Sequence, residues 1–400
     1  MEFGPIWRAA MRNRTGPLLI AVQIALTLAV LVNGVFIIQQ RIERITRDTG
    51  MDVENIITVQ SFGFGEEFDK NESVRQDLEA LRAIPGVVAA TSTQHVPLSG
   101  SGWGNSIKPA PGEDAPTLNG VRYFMNTQAV ESLGVTLAEG RGFDADDIEY
   151  PEDVGGAPRQ VILTRAWADE LFPEGGALGK AIYDNLDRPS TVIGILERMH
   201  GAWVSYDKLE NVMLIPWVIP GRATYYLVRT EPGQRDRIMP QVEETLSRIN
   251  GQRVVKGLET HEEIKAASYE GDRGMAIILA VVTALMVAVT AVGIVGLASF
   301  SVRQRVKQIG TRRAIGARRR DIVRYFLLEN WLVTTGGVVA GSVAAVAVNY
   351  WLVTRYELER LDPLYVPAGI VVIWVLGLLA VAGPARRAAR ISPAVATRTV

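Results

Sequence analysis

The chain has 400 residues, with 42 Lys and Arg against 43 Asp and Glu, for a formal net charge of −1. That balance excludes a globally basic binder of nucleic acid. There is no cysteine, so disulfides and thiolate metal sites are excluded, and the redox environment is not legible from cysteine usage.

The apolar residues gather in four blocks. The first, "PLLIAVQIALTLAVLVNGVFII" at 17–38, carries no charge. A hydrocarbon core about 30 Å thick needs about 20 helical residues, so this block predicts a spanning helix over 17–40. The rival is a signal peptide, because Arg8, Arg12 and Arg14 precede it. The run is too long for a signal core, and "QQRIERI" offers no small-residue cleavage site, which favours an uncleaved anchor. Ahead of it, residues 1–16 place Phe3, Ile6, Trp7, Ala10 and Met11 on one helical face, as an interfacial segment would.

Residues 41–273 follow as an α+β domain large enough for two lobes. "DVENIITVQ" alternates as a strand. "NESVRQDLEALRAIPGV" predicts a helix ending at Pro85-Gly86, and "VVAATSTQHV" a second strand. "SGSGWGNSIKPAPGEDAP" is turn-rich and reads as loop or irregular strand. "MNTQAVESLGVTLAEGRGF" gives a helix, a glycine turn and a strand. "RQVILT" and "STVIGIL" are strands around the short helix "RAWADELF". "ATYYLVRT" is a strand and "QRDRIMPQVEETLSRIN" a helix. "RVVKGLETHEEIKA" closes the domain with a strand and a helix aimed toward the second apolar block.

Catalytic motifs do not emerge from this domain. "GGALGKA" at 175–181 resembles a phosphate loop, but Glu174 stands where the first glycine belongs and Ala181 replaces Ser or Thr, so it reads as a turn. His95, His200 and His261 lack metal-ligand spacing and read as surface or hydrogen-bonded histidines. "FDADDIEYPED" fails the calcium-loop pattern at Glu149 and reads as a solvated acidic loop. No serine sits in a nucleophile elbow.

Three further uncharged blocks predict spans over 274–300, 329–353 and 366–385, joined by segments 301–328 and 354–365 and followed by a tail, 386–400. The basic residues lie in the N-terminal flank, in 301–325 and in the tail. This places both termini and the 301–328 segment inside, and the 41–273 domain outside. The second span repeats Ala276, Ala280, Ala284 and Ala288, and the third Gly337, Gly341 and Ala345; such stripes let helix backbones approach in lipid. No span carries a central charge. Gln23, Asn33 and Asn349 are the strongly polar residues within them, read as bonds across helices rather than a transport path.

Within "KQIGTRRAIGARRRDI" at 307–322, the charge explains sidedness but not the regular placing of glycine and apolar residues. Gly316 reads as a helix stop and Asp321 falls in the first turn of the next helix, where the dipole favours an acid. Ile322, Val323, Phe326 and Leu327 share a face leading into the third span. A helix, a break and a second helix is the expected form, and such a corner suits protein docking.

"RQRVKQIGTRRAIGARRRDIVRYFLLEN" at 303–330 resembles the cytoplasmic signature of MacB/FtsX-type ABC-transporter permeases, and "GPARRAARISPAVATR" resembles their tail. "YFMNTQAVESLGVTLAEGRGFDADD" and "WADELFPEGGALGKAIYDNLDRPSTVIGIL" resemble their periplasmic core domain. The likeness runs in order along the whole chain, with one span before the domain and three after it.

The resemblance implies a permease subunit that pairs with a second permease, alike or different, on cytoplasmic ATPases carrying ATP and magnesium. The chain itself would hold no cofactor and no catalytic or metal site. Hydrolysis would move the extracytoplasmic domain rather than pass cargo through lipid. It also implies an inner-membrane location, a separate ATPase polypeptide, export or efflux with a periplasmic adaptor, and contact with membrane lipid. Carried over by position, the coupling residues are Gln308, Ile309, Gly310, Arg313, Ala314, Ile315, Gly316, Ala317, Asp321 and Ile322. Ile309, Ala314 and Ile315 would supply the apolar contact. The family pattern has Glu where this chain has Gln308. The competing function is a relay acting on an extracytoplasmic hydrolase or sensor; a membrane-tethered enzyme would need catalytic residues that the sequence does not offer.

Overall fold

A computed structural model describes residues 15–66, 68–219, 222–356 and 359–391. The expected interfacial segment and all but the start of the tail lie outside these residues. The chain divides into two units, Thr46–Gly271 and the pair of segments Met1–Ile45 and Asp272–Val400.

The membrane unit is built from α1 (Thr15–Thr46), α7 (Glu270–Gln304), α8 (Val306–Ala314), α9 (Arg319–Tyr356) and α10 (Tyr365–Ala388). Four of these, α1, α7, α9 and α10, are long and apolar enough to cross a membrane. At 1.5 Å per residue, helices of 32, 35 and 38 residues exceed the hydrocarbon thickness. They therefore extend beyond the charge-free blocks that predicted them.

Helix α1 is the centre of this unit. Ile24 and Leu28 are fully buried. Gly337 and Gly341 on α9 lie so close to it that an added Cβ would stand 2.8 Å from the Ala21 carbonyl oxygen and 2.9 Å from the Ala25 Cα. Asn33 donates from Nδ2 to the Ala345 carbonyl on α9, 3.0 Å away. Toward α10, Gly369 packs on Leu28 and Val32, and Phe36 meets Tyr365 edge-on at 5.4 Å. Toward α7, the Thr27 and Thr290 hydroxyls bond at 2.7 Å, and Gly34 lies under Thr283.

The alanine stripe expected to pack does not do so within this chain. Ala280, Ala284 and Ala288 are exposed and Ala276 is half-buried. The packed face of α7 carries Thr283, Thr290, Gly293 and Ile294 instead; of its two threonines, Thr290 bonds across to Thr27, while Thr283 packs on Gly34 with its hydroxyl unpaired. Asn349 uses its Oδ1 to accept from the Leu361 amide at 3.1 Å, fastening the turn before α10.

The outer unit holds eleven strands: β1 (Ile56–Gly63), β2 (Val87–Thr93), β3 (Trp103–Ile107), β4 (Leu118–Phe124), β5 (Leu137–Gly140), β6 (Gln160–Thr164), β7 (Ala181–Tyr183), β8 (Pro189–Leu196), β9 (Val212–Ile215), β10 (Ala223–Thr230) and β11 (Arg253–Thr260). Its helices are α2 (Lys70–Arg82), α3 (Ala129–Leu133), α4 (Arg165–Leu171), α5 (Arg235–Ile249) and α6 (His261–Ser268). An antiparallel sheet runs β11-β1-β10-β2, and a mixed sheet runs β3-β4-β9-β6-β8-β5 with β7 on β8.

Alternation explains the first sheet. Ile57, Val59, Tyr226 and Val228 point to the face covered by α2 and α5, where they meet Leu78, Leu81, Ile238 and Leu246. Asp77 on α2 is fully buried there, ion-paired with Arg253 and accepting from the Tyr226 hydroxyl at 2.5 Å. Desolvation raises the Asp77 pKa, and the two donors pull it back. The second sheet packs Trp167 of α4 against Gly120, where a Cβ would stand 2.7 Å from the indole.

Strands β3, β4 and β9 exceed the expectation. The first two form a regular antiparallel pair within or beside the turn-rich segment, Trp103 opposite Arg122 through Ile107 opposite Leu118. Helix α6 does not run on into α7: it ends at Ser268, with Tyr269 (φ −99°, ψ 9°) between them. The acidic loop is not solvated throughout. Arg141 donates to Asp144 and, with both Nη atoms, to the buried Asp147, which holds the Asp147 carboxyl below the usual range. "GGALGKA" is a turn whose Lys180 donates to the Gly175 carbonyl at 3.0 Å and covers the Phe172 ring.

The histidines differ from expectation. His95 is half-buried beside Ser101, with Nδ1 3.1 Å from Oγ. His200 and His261 are fully buried; the His261 ring has no hydrogen-bond partner, and His200 has only the Glu210 carboxylate, 3.6 Å from its Nε2. Burial pushes the His261 pKa down to about 4, with Lys265 adding to the effect.

Candidate functional site

The corner between α7 and α9 holds the ten residues expected to couple. Helix α7 stops at Gln304, Arg305 breaks the path (φ −109°, ψ 15°), and α8 follows. Arg305 grips α9 with both Nη atoms, donating to the two Glu329 carboxylate oxygens at 2.8 and 3.0 Å and to the Tyr325 hydroxyl at 2.9 Å. This bidentate clamp fixes the break, and removing one partner would leave a part-buried charge uncompensated. Sequence reading missed it, because opposite charges 24 positions apart carry no periodic signal.

The end of α8 is a Schellman turn. The Gly316 amide donates to the Arg313 carbonyl at 3.2 Å, and the Ala317 amide donates to the Arg312 carbonyl at 3.0 Å. Gly316 has φ +105°, which a side chain rarely adopts, so glycine is required at this turn. Helix α9 then starts at Arg319. Asp321 accepts from the Arg318 amide at 2.8 Å, half of a capping box, with its charge beside the positive end of the dipole.

This geometry divides the ten residues. Ile309 and Ile322 are each 4% exposed and belong to the core with Val302, Phe326, Ala385 and Ala388. Gly310 is also buried, while Arg313 and Ala317 are half-buried. Gln308, Ala314, Ile315, Gly316 and Asp321 are exposed. Ile309 was expected to contact a partner; instead it closes the corner from within. Ile315 is 82% exposed, because the Schellman turn directs the chain back at Gly316 and leaves the preceding side chain outside. In the same corner segment Lys307, Arg312, Arg318, Arg319 and Arg320 are also exposed. Arg313 turns inward and donates to the Ile391 carbonyl at 2.6 Å, tying the corner to the start of the tail.

One apolar helix ahead of an inserted α+β domain, three behind it, and a rigid, cationic helix-turn-helix corner define a multi-pass membrane protein of permease type. The chain matches the MacB-like periplasmic core domain over residues 18–245 and the FtsX-like permease C-terminal over 280–393. It belongs to the MacB/FtsX-type ABC-transporter permease family. It is 26% identical to the macrolide export ATP-binding/permease protein MacB of Chromobacterium violaceum, over 81% of this chain and 49% of that protein. It thus spans about half the length of the MacB relatives it matches. It is 25% identical to the uncharacterised ABC transporter permease YknZ of Bacillus subtilis, over 80% of this chain and 78% of that one. Among solved structures, the periplasmic region of MacB from Actinobacillus actinomycetemcomitans is 18% identical, with a TM-score of 0.34, over 56% of this chain and 96% of that one.

Proposed function

We propose that the α7–α9 corner is the docking element for a separate cytoplasmic ABC ATPase, and that nucleotide turnover there moves the outer domain. The observation that carries this reading is Ile315, an isoleucine left 82% exposed on a glycine-fixed turn, in a segment where Arg312, Arg318, Arg319 and Arg320 are exposed as well. A lone apolar tip on a rigid cationic corner fits an apolar groove with an acidic rim. The corner transmits displacement because it is stiff: the Arg305–Glu329 clamp, the Schellman turn and buried Ile309 hold α8 to α9.

In this reading the basic corner and both termini face the cytoplasm and residues 46–271 lie outside, in a Gram-negative inner membrane. ATP and magnesium belong to the partner ATPase, and this chain is non-catalytic. A second permease, identical or not, completes the pair, and a periplasmic adaptor joins the outer domain for export. Cargo does not cross between the helices. Two of the polar groups buried in the spans are used in bonds between helices, Thr27 with Thr290 and Asn33 with the Ala345 carbonyl.

The test is ATP hydrolysis by the partner in the reconstituted complex. Ile315→Asp places a charge at the apolar tip and is expected to abolish stimulation of the ATPase while leaving membrane insertion intact. Stimulation equal to wild type would overturn the proposal.

A further inference from the structure

One face of the mixed sheet carries the core around Trp167, and Arg122 of β4 interrupts it. Strand alternation sets Arg122 on the same side as Phe124, and the pairing of β3 with β4 sets Trp103 directly opposite. The guanidinium carbon lies 5.2 Å from the centroid of each ring. Its Nε is buried and has no hydrogen-bond partner. Burial holds the Arg122 pKa below the usual arginine value, and no carboxylate counteracts it. A part-buried arginine without a counter-charge is rare in folded domains.

This cation opens on a cavity of about 260 Å³ under the loops that hold Gly155 and Asn185. The other charges in its wall cancel: Arg188 pairs with Asp184 at 2.6 Å and also donates to the Gly155 carbonyl at 2.5 Å. The lining thus keeps one net positive charge, that of Arg122. Asn105 and Ser190 add hydrogen-bonding groups, and Met213 and Ile215 give an apolar floor.

We propose that this cavity binds a small molecule bearing an oxyanion, a carboxylate or a phosphate, held by the free N–H edge of Arg122. The rings of Trp103 and Phe124 fix the plane of the fork before the ligand arrives, so little order is lost on binding. The oxyanion supplies the missing counter-charge, and the apolar part of the ligand lies on Met213. This site is independent of the coupling corner and does not rest on the proposal made for it.

The test uses the full chain in a maltoside detergent, which carries no phosphate, with carbon-13 methyl-labelled methionine. Met213→Leu assigns the Met213 signal. Inorganic phosphate and benzoate are titrated separately, with chloride at matched ionic strength as control. At least one of the two oxyanions is expected to shift the Met213 signal saturably, while chloride does not. Response to phosphate alone or benzoate alone assigns the class. Arg122→Gln is expected to weaken binding at least about tenfold, since it removes a charged hydrogen-bond donor. Arg122→Lys, which keeps the charge and the space filled but loses the fork, is expected to weaken it less. No saturable shift with either oxyanion would overturn the proposal, as would binding left unchanged in both variants, which would make Arg122 a purely structural cation.

Discussion

The outer domain buries Trp167, Tyr123, Tyr226 and Phe124 at its centre, whereas the membrane unit is centred on Ile24 and Leu28 with glycines pressed against them. The difference follows from the surroundings. In water, large side chains gain most by being removed from solvent, about 25 cal/mol per Å² of apolar surface. In lipid that gain vanishes, so cohesion rests on close backbone approach and on hydrogen bonds made across helices. The same contrast appears in charge. The outer domain buries an Arg253–Asp77 pair in its core, while the ion pairs seen among the described residues of the membrane unit, Arg41–Asp272 and Arg305–Glu329, each take one partner from a helix end, Asp272 and Arg305.

Three measurements put this contrast to the test. The largest effect belongs to the water-facing unit. His261 is buried neutral, with its pKa pushed down to about 4. An unfolded histidine titrates near 6.5, so the unfolded state takes up a proton first as pH falls. The stability this group contributes is therefore complete above about pH 6.5 and is lost as pH falls through about 4; the gap amounts to about 3 kcal/mol. Urea unfolding of the full chain in detergent, followed by fluorescence, should show that loss in wild type, and His261→Met should lack it. Equal pH dependence in the two would show that His261 is not buried neutral.

Next comes the membrane unit. At Gly341 an added Cβ meets Ala25 backbone atoms at 2.9 Å and Leu28 Cβ at 3.0 Å. Gly341→Ala should cost about 2 kcal/mol through overpacking, read as a lower unfolding midpoint in detergent. The same change at Gly296, where an added Cβ meets nothing within 4 Å, should cost nothing measurable. Equal effects at the two sites would refute close packing as the source of cohesion. The smallest effect is Thr27→Val, which removes the hydroxyl bond to Thr290 and should cost about 0.6 kcal/mol. A Thr27/Thr290 double-mutant cycle measures it, and zero coupling would show that the bond adds nothing to cohesion.

Much of this architecture was legible in the residues themselves. Twenty or more uncharged positions in a row admit few readings, so the four spans were plain. Helix α8, its glycine stop and the Asp321 cap were legible for the same kind of reason, since local chemistry decides them. Strands β4 and β9 were not. "LNGVRYF" has a glycine inside it, required because Trp167 leaves no room for a Cβ, and "VMLI" is too short for a period to show. In the corner, the sequence showed which residues are apolar but not which way they face. Ile309 and Ile315 look alike in "KQIGTRRAIG", yet one is 4% and the other 82% exposed. Only the fold against α9 and α10 separates them. The alanine stripe of α7 faces away from the rest of this chain, and the sequence alone did not show it, because small residues every fourth position look the same on an outward surface as on one packed within the chain.

The proposed mechanism requires the Ile315 corner and the outer domain to lie on opposite sides of the lipid, joined by helices that carry motion between them. Because the chain has no cysteine, a single introduced thiol reports position without background. Ile315→Cys and Leu186→Cys, at residues 82% and 72% exposed, can each be reacted with a membrane-impermeant maleimide in intact cells and again after the inner membrane is opened. The Leu186→Cys variant is expected to be labelled from the outer face, and the Ile315→Cys variant only once the cytoplasm is exposed. Labelling of both variants from the same side would contradict that arrangement.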